Sequence, residues 1–229
     1  MAADWFRSAA WDEDARSDFE KRLSRATIGN RPQYLRIKGL ALSEAGNDAA
    51  ARELWLRVLH EYPESFDVNA SIEHLADSER RAGMIDAAEE HYRDLISRSP
   101  TLNGTSGMGE LSLAELLIDS DDKARLHEAV ELLDRALHRG TMLPAHRFRW
   151  HLALTKAATE MGDRETQQRA ARTALGLAAN ARPPFPRHPT VGTVHADPAT
   201  IDWLESAAAG APARVSLATR KRRWFKTRW

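Results

Sequence analysis

The sequence predicts an all-α fold made of consecutive antiparallel helix pairs, and three observations carry that expectation. Alanine, leucine, arginine and glutamate recur throughout while aromatic residues reach only 7%, a profile that favours soluble helices over strands. Small and large apolar residues return at the same separations in successive segments, the signature of a repeat architecture. The clearest segments are divided by a glycine-containing turn and closed by a proline, residues that respectively permit a tight turn and forbid further helix.

Residues 1–30 read as an aromatic lead-in and a capping helix. Over residues 12–25, Asp12 stands at the helix start, Glu13 and Asp14 lie in the first turn where the helix dipole favours anions, and Phe19 and Leu23 share a face at i and i+4. Trp5, Phe6 and Trp11 are expected to bury against the helix pair that follows.

The repeat array spans residues 31–181. Its first copy reads Leu35, Gly39, Leu42, Gly46, Ala51, Trp55, Val58 and Pro63, with the turn at Gly46-Asn47. A second copy follows as Ile72, Leu75, Ala76, Gly83, Ala88, Tyr92, Leu95 and Pro100, spaced from Gly83 to Pro100 as the first is from Gly46 to Pro63. The third is degraded: Leu113, Ala114 and Leu117 supply one helix and Ala129, Leu133 and Ala136 the other, but Asp119 to Lys123 lengthens a turn that lacks glycine. The fourth begins near Arg147 and offers Leu154, Ala158, Gly162-Asp163, Ala171 and Ala174, with Gln167 where alanine is expected.

This spacing resembles the tetratricopeptide repeat at nearly every consensus site of the first copy. One position departs clearly, Lys38, where the family usually has leucine. The resemblance implies a right-handed α-α superhelix, a solenoid of about four helix pairs in which stacked neighbours bury what no single pair can cover. It also implies that the first helix of each pair lines a concave groove. The family's offsets select Gln33, Arg36 and Leu40 in the first repeat, Glu73, Asp77 and Arg80 in the second, Glu115 in the third, and Arg149 and Lys156 in the fourth. A surface of such mixed sign suits a peptide or helix of a partner protein. The asparagines and lysines with which some family members clamp a terminal carboxylate are not found at these sites. Exposed helix residues without a ligand are the plain alternative for each position.

Residues 182–210 are expected to form a proline-rich linker, a loop and a short helix. Arg182-Pro183-Pro184-Phe185-Pro186-Arg187-His188-Pro189 reads as an extended linker, and the helix after Pro198 would carry Ile201 and Leu204 as its apolar stripe. Residues 211–229 are expected to lack fixed structure. There Arg220, Lys221, Arg222, Arg223, Trp224, Lys226, Arg228 and Trp229 interleave cations with rings, a composition suited to nucleic acid or an anionic membrane. A solvated terminus and a tail folded back on its own body are the alternatives. The formal charge of zero hides this asymmetry: the tail holds seven of the 33 basic residues, which leaves 26 basic against 33 acidic residues before it.

Catalytic constellations are not legible, and the chain reads as a non-enzymatic scaffold without a cofactor or metal. With no cysteine there is no disulfide, thiolate zinc site or thiol nucleophile. His127-Glu128 would need a second histidine at position 131 to complete a zinc-protease helix, and that residue is Glu131. The run Gly104 to Gly109 follows no strand and lacks the lysine of a nucleotide loop, so it reads as a flexible connection ending in a helix cap. His188, His195 and Asp197 match no metal spacing and read as a loop covering the end of the stack. Glu89-Glu90 and Asp121-Asp122 read as solvated faces, and His74 and His91 as facing solvent or neighbouring helices. The opening residues lack a basic flank followed by an apolar core, which makes the cytoplasm the expected location and gives Asn69 and Asn103 no weight as glycosylation sites. The tail reading has a direct consequence: the full chain binds single-stranded DNA or anionic vesicles at low salt, with a logarithmic salt slope no steeper than about −5 for seven cations on a single strand. Deletion of residues 214–229 removes that binding, and a full-length chain that binds neither probe at low salt discards the reading.

Overall fold

A computed structural model describes residues 4–99, 101, 103–120, 122–140, 142–180 and 182–210. Among them are ten α-helices and two 3₁₀ turns, and no strand. The chain divides into two compact units, Met1–Gly109 and Glu110–Trp229.

The first unit opens with a 3₁₀ turn at Trp5–Arg7 and α1 (Glu13–Arg25), whose N-terminus is capped as expected by the Asp12 carboxylate accepting from Ala15 N. A second 3₁₀ turn at Ile28–Asn30 leads into α2 (Arg31–Glu44), where proline at the second position costs no internal hydrogen bond. Then come α3 (Asp48–Glu61), α4 (Asp67–Ala82) and α5 (Ile85–Arg98). The pairs α2/α3 and α4/α5 are the first two sequence repeats. Successive pairs pack through α3 on α4, and their first helices α2 and α4 also touch. Gly46 and Gly83 turn the chain at φ 87° and 78°, conformations that a side chain would strain.

The first pair is set by one close approach. A Cβ at Gly39 would fall on the Trp55 indole, 2.8 Å from Cε2 and 2.9 Å from Cδ1. The ring thus lies directly on the α2 backbone, is 1% exposed, and donates its Nε1 hydrogen to Arg36 O at 3.1 Å. In the second pair Tyr92 takes the same place and its hydroxyl donates to Asp77 Oδ1 at 2.5 Å. Trp5, Phe6 and Trp11 pack against the core of this unit, each half-buried rather than fully buried.

In the second unit α6 (Gly109–Ile118), which starts one residue before the unit boundary, and α7 (Arg125–His138) form the third repeat. All six of its diagnostic residues, Leu113, Ala114, Leu117, Ala129, Leu133 and Ala136, are buried. Glu110, itself 2% exposed, is held by Arg139 through hydrogen bonds of 2.8 and 2.5 Å. The fourth repeat is α8 (Pro144–Met161) with α9 (Arg164–Ala179), so its first helix begins earlier than the sequence pattern indicates. Its turn is as expected: Gly162 adopts φ 76° and Asp163 caps Thr166 N. Gln167 is buried in place of alanine, and among the described residues its Nε2 has no hydrogen-bond partner.

Two details of the extension differ from expectation. The proline-rich segment folds into turns rather than a straight run, with His188 N donating to Phe185 O and Val191 N to His188 O. Gly192 O then accepts from Ala145 N at the start of α8, so this loop covers the end of the last pair. In α10 (Pro198–Ala208) the buried residues are Thr200, Leu204 and Ala207, while Ile201 is only half-buried, because α10 meets α9 along the i, i+4, i+7 row that starts at Thr200. Pro100, Asp121 and the tail lie outside the described residues.

The Gly39 approach predicts that Gly39→Ala destabilises the chain by about 1–2 kcal/mol, since overpacking outweighs the gain in helix propensity. Gly29→Ala, where nothing lies within 4 Å, stays within about 0.5 kcal/mol, and urea unfolding of both variants measures the contrast.

Candidate functional site

The first helices carry the residues selected by the repeat offsets, and the structure gives most of them partners. On α2, Gln33 is exposed and Leu40 half-buried against the core. Arg36 reaches across to the start of α4, donating from Nε to Asp67 Oδ1 at 2.6 Å, with side chains 22% and 14% exposed. On α4, Asp77 accepts the Tyr92 hydroxyl, and Arg80 is half-buried in the last turn.

Glu73 is buried, and its carboxylate accepts Ser106 N at 2.8 Å and Ser106 Oγ at 2.5 Å. The glycine-rich run after α5 is therefore pinned to the first-helix face of the second repeat. Gly104 and Gly107 take positive φ there, and the Phe66 ring lies against Gly104.

The second unit repeats the theme. Glu115 of α6 and Arg149 of α8, both chosen from sequence, meet in a bidentate pair at 3.0 and 2.8 Å, and Arg149 also donates to Ser112 Oγ. Lys156 of α8 donates to Asp119 Oδ1, just past the end of α6, at 2.9 Å. Each pair joins the first helices of consecutive repeats. Offsets along one repeat could not identify the partners Asp67, Ser106 and Asp119. A signal was nevertheless available, since the paired charges stand 31, 34 and 37 residues apart, close to one repeat length.

Neighbouring histidines are shaped by the same faces. His74 lies against Trp55 with ring centroids 5.4 Å apart, and its Nε2 is buried without a hydrogen-bond partner among the described residues. Burial, with the positive charges of Arg36 and Arg81, pushes it down to about 4. Burial and Arg147 lower His151 to about 4 in the same way. His146 is lowered by burial and Arg149 against an opposing pull from Glu115. His91 is raised, chiefly by its 2.7 Å hydrogen bond to the buried Glu79.

Among the described residues no three histidine or acidic side chains gather in a way that could hold a metal ion. Asp197 serves as a helix cap, accepting Thr200 N and the Thr200 hydroxyl, and His188 and His195 are exposed. No described helix is long and apolar enough to cross a membrane. The tail residues Arg220, Lys221, Arg222, Arg223, Trp224, Lys226, Arg228 and Trp229 fall outside the described residues.

Stacked helix pairs with inter-pair contacts define a helical-repeat protein. Comparison places one repeat directly: residues 35–65 match the tetratricopeptide repeat. The fold is similar to the crystal structure of a thermophilic TPR protein of Thermus thermophilus, with a TM-score of 0.52 and 20% identity over 83% of this chain and 96% of that one. No curated protein matches the chain. Residues 35–65 thus form a tetratricopeptide repeat within a chain that has the tetratricopeptide-repeat fold.

The histidines set a pH dependence. His74 and His151 have folded values below their ordinary 6.5, so the stability associated with them is complete above that value and is lost as pH falls toward 4. His91, raised on folding, contributes stability that is complete below its ordinary value and lost as pH rises through the folded one. Between pH 7 and pH 5, His74→Leu therefore loses less stability than the parent chain and His91→Gln loses more, as read from urea midpoints at each pH.

Proposed function

We propose that the protein is a non-enzymatic interaction module that takes a peptide or helix of a partner protein along the first-helix faces of its repeats. Tetratricopeptide-repeat proteins generally act through protein–protein contacts, and this chain shares their fold. The observation that carries the proposal is the set of ordered ion pairs on those faces: Arg36 with Asp67, Arg149 with Glu115, and Lys156 with Asp119. Each long side chain is already fixed by a cross-helix partner, which lowers the rotamer entropy lost when a ligand docks.

Because the charges are matched in pairs, the faces present hydrogen-bonding geometry rather than a strong net field. A partner would then be selected by shape and polar complementarity more than by long-range steering.

Photo-crosslinking tests this face against the opposite one. A photoreactive amino acid at Gln33, exposed on α2, is expected to trap a discrete partner in cells, whereas the same group at Glu61, exposed at the end of α3, traps none. Equal adducts from both positions, or none from Gln33, would remove the first-helix face from consideration.

A further inference from the structure

The departure at Lys38 leads away from the first-helix face. Where the repeat usually has leucine, this lysine is 2% exposed, and burial pulls its ammonium below the ordinary range. A leucine would fill the same space with no charge to desolvate. The ammonium instead finds all its hydrogen-bond acceptors on one short segment, donating to Ser8 O at 2.5 Å and Ala10 O at 2.9 Å. It also sits over the Trp11 and Phe19 rings, 5.1 and 5.6 Å from their centroids.

That segment is held as a bound peptide would be. Among the described residues, the main chain of Asp4 to Trp11 makes no hydrogen bond to the main chain of any helix; its own turn is closed by Arg7 N donating to Asp4 O. Its attachment is side-chain work at both ends. Phe6 stacks on Tyr34 at 4.6 Å, Trp5 packs edge-on to Tyr34 and tilted against Phe19, each at 5.2 Å, and Trp11 meets Phe19 at 5.6 Å. Between these anchors Arg7, Ser8, Ala9 and Ala10 are exposed, and the lysine grips only the main chain of Ser8 and Ala10.

The fit is also incomplete. Trp11 Nε1 is buried with no hydrogen-bond partner among the described residues. An occupant that satisfied or omitted that group would bind better than the chain's own segment, because an unpaired buried donor loses its hydration without compensation.

We infer that Asp4 to Trp11 is a strap occupying, in cis, a docking site for an extended partner segment that carries aromatic anchors at both ends of a four-residue spacer, with the Lys38 ammonium reading two main-chain carbonyls. The recognised chemistry is backbone carbonyl plus flanking rings, so the exposed side chains between the anchors matter less than either. Covalent attachment keeps the strap at an effective concentration of about millimolar, which masks the site from weak ligands. The inference does not depend on the first-helix faces binding anything.

The probe is a dye-labelled peptide of the strap sequence, Asp-Trp-Phe-Arg-Ser-Ala-Ala-Trp, followed by fluorescence anisotropy against the full chain. Trp5→Ala with Phe6→Ala, which strips the anchors from the resident strap, is expected to bind it at least about ten-fold more tightly than the parent chain. Adding Lys38→Leu, the family's usual residue, should abolish that gain while circular dichroism stays helical. Equal affinity before and after the anchors are removed, or a gain that survives Lys38→Leu, overturns the inference.

A second arm needs no destabilising variant. In the parent chain labelled with 5-fluorotryptophan, excess unlabelled peptide should shift the fluorine signals of Trp5 and Trp11 toward those of the free peptide and leave Trp55 in place. If the Trp5 and Trp11 signals stay put, or all three move together, the strap is a permanent part of the fold and the proposal fails.

Discussion

Two helices can approach only as closely as the residues between them allow, and everything in the first unit is arranged around the point where α2 has no side chain at Gly39. The Trp55 indole fills that gap, and its N–H reaches the carbonyl of Arg36, which fixes both the separation and the rotation of the pair. From there the rest follows geometrically. With α3 seated on α2, Arg36 projects toward the start of α4, and α4 turns His74 against the same indole. Close packing of this kind leaves little slack, since protein interiors approach the density of organic crystals.

Much of this fold could be read from residue spacing. Gly46, Gly83 and Gly162-Asp163 mark the turns, Asp12 the start of the first helix, and in the first two repeats alanine recurring with an aromatic residue marks the second helix. Those signals are local, and local signals survive even in the degraded third repeat. What stayed hidden depends on contacts between repeats. Lys38 looked like a flaw in the consensus because its partners, two carbonyls and two rings, belong to segments outside the repeat pattern. In α10 a stripe through Ile201 and a stripe through Thr200, Leu204 and Ala207 differ by a small rotation that only the packing partner decides.

The candidate site was legible by position but not by state. Repeat offsets placed Arg36, Glu73, Asp77, Glu115, Arg149 and Lys156 on the first helices, and that is where the structure has them. The offsets carried no information on pairing, because an ion pair is a relation between two repeats and the consensus describes one. The glycine-rich run showed the opposite failure. Its composition suggested slack, yet Ser106 engages a buried carboxylate and Phe66 covers Gly104, so glycine here serves conformation rather than looseness.

The Ser106 contact also orders events during synthesis. Glu73 lies in α4, but its hydroxyl and amide donor is encoded 33 residues later, beyond the whole of α5. At ribosomal speeds of about 5–20 residues per second, that interval lasts a few seconds. Over that interval the whole of α5 is made, while the Ser106 hydrogen bonds to Glu73 cannot yet form. This contact of the second repeat therefore closes only after the small loop that follows its second helix has been translated.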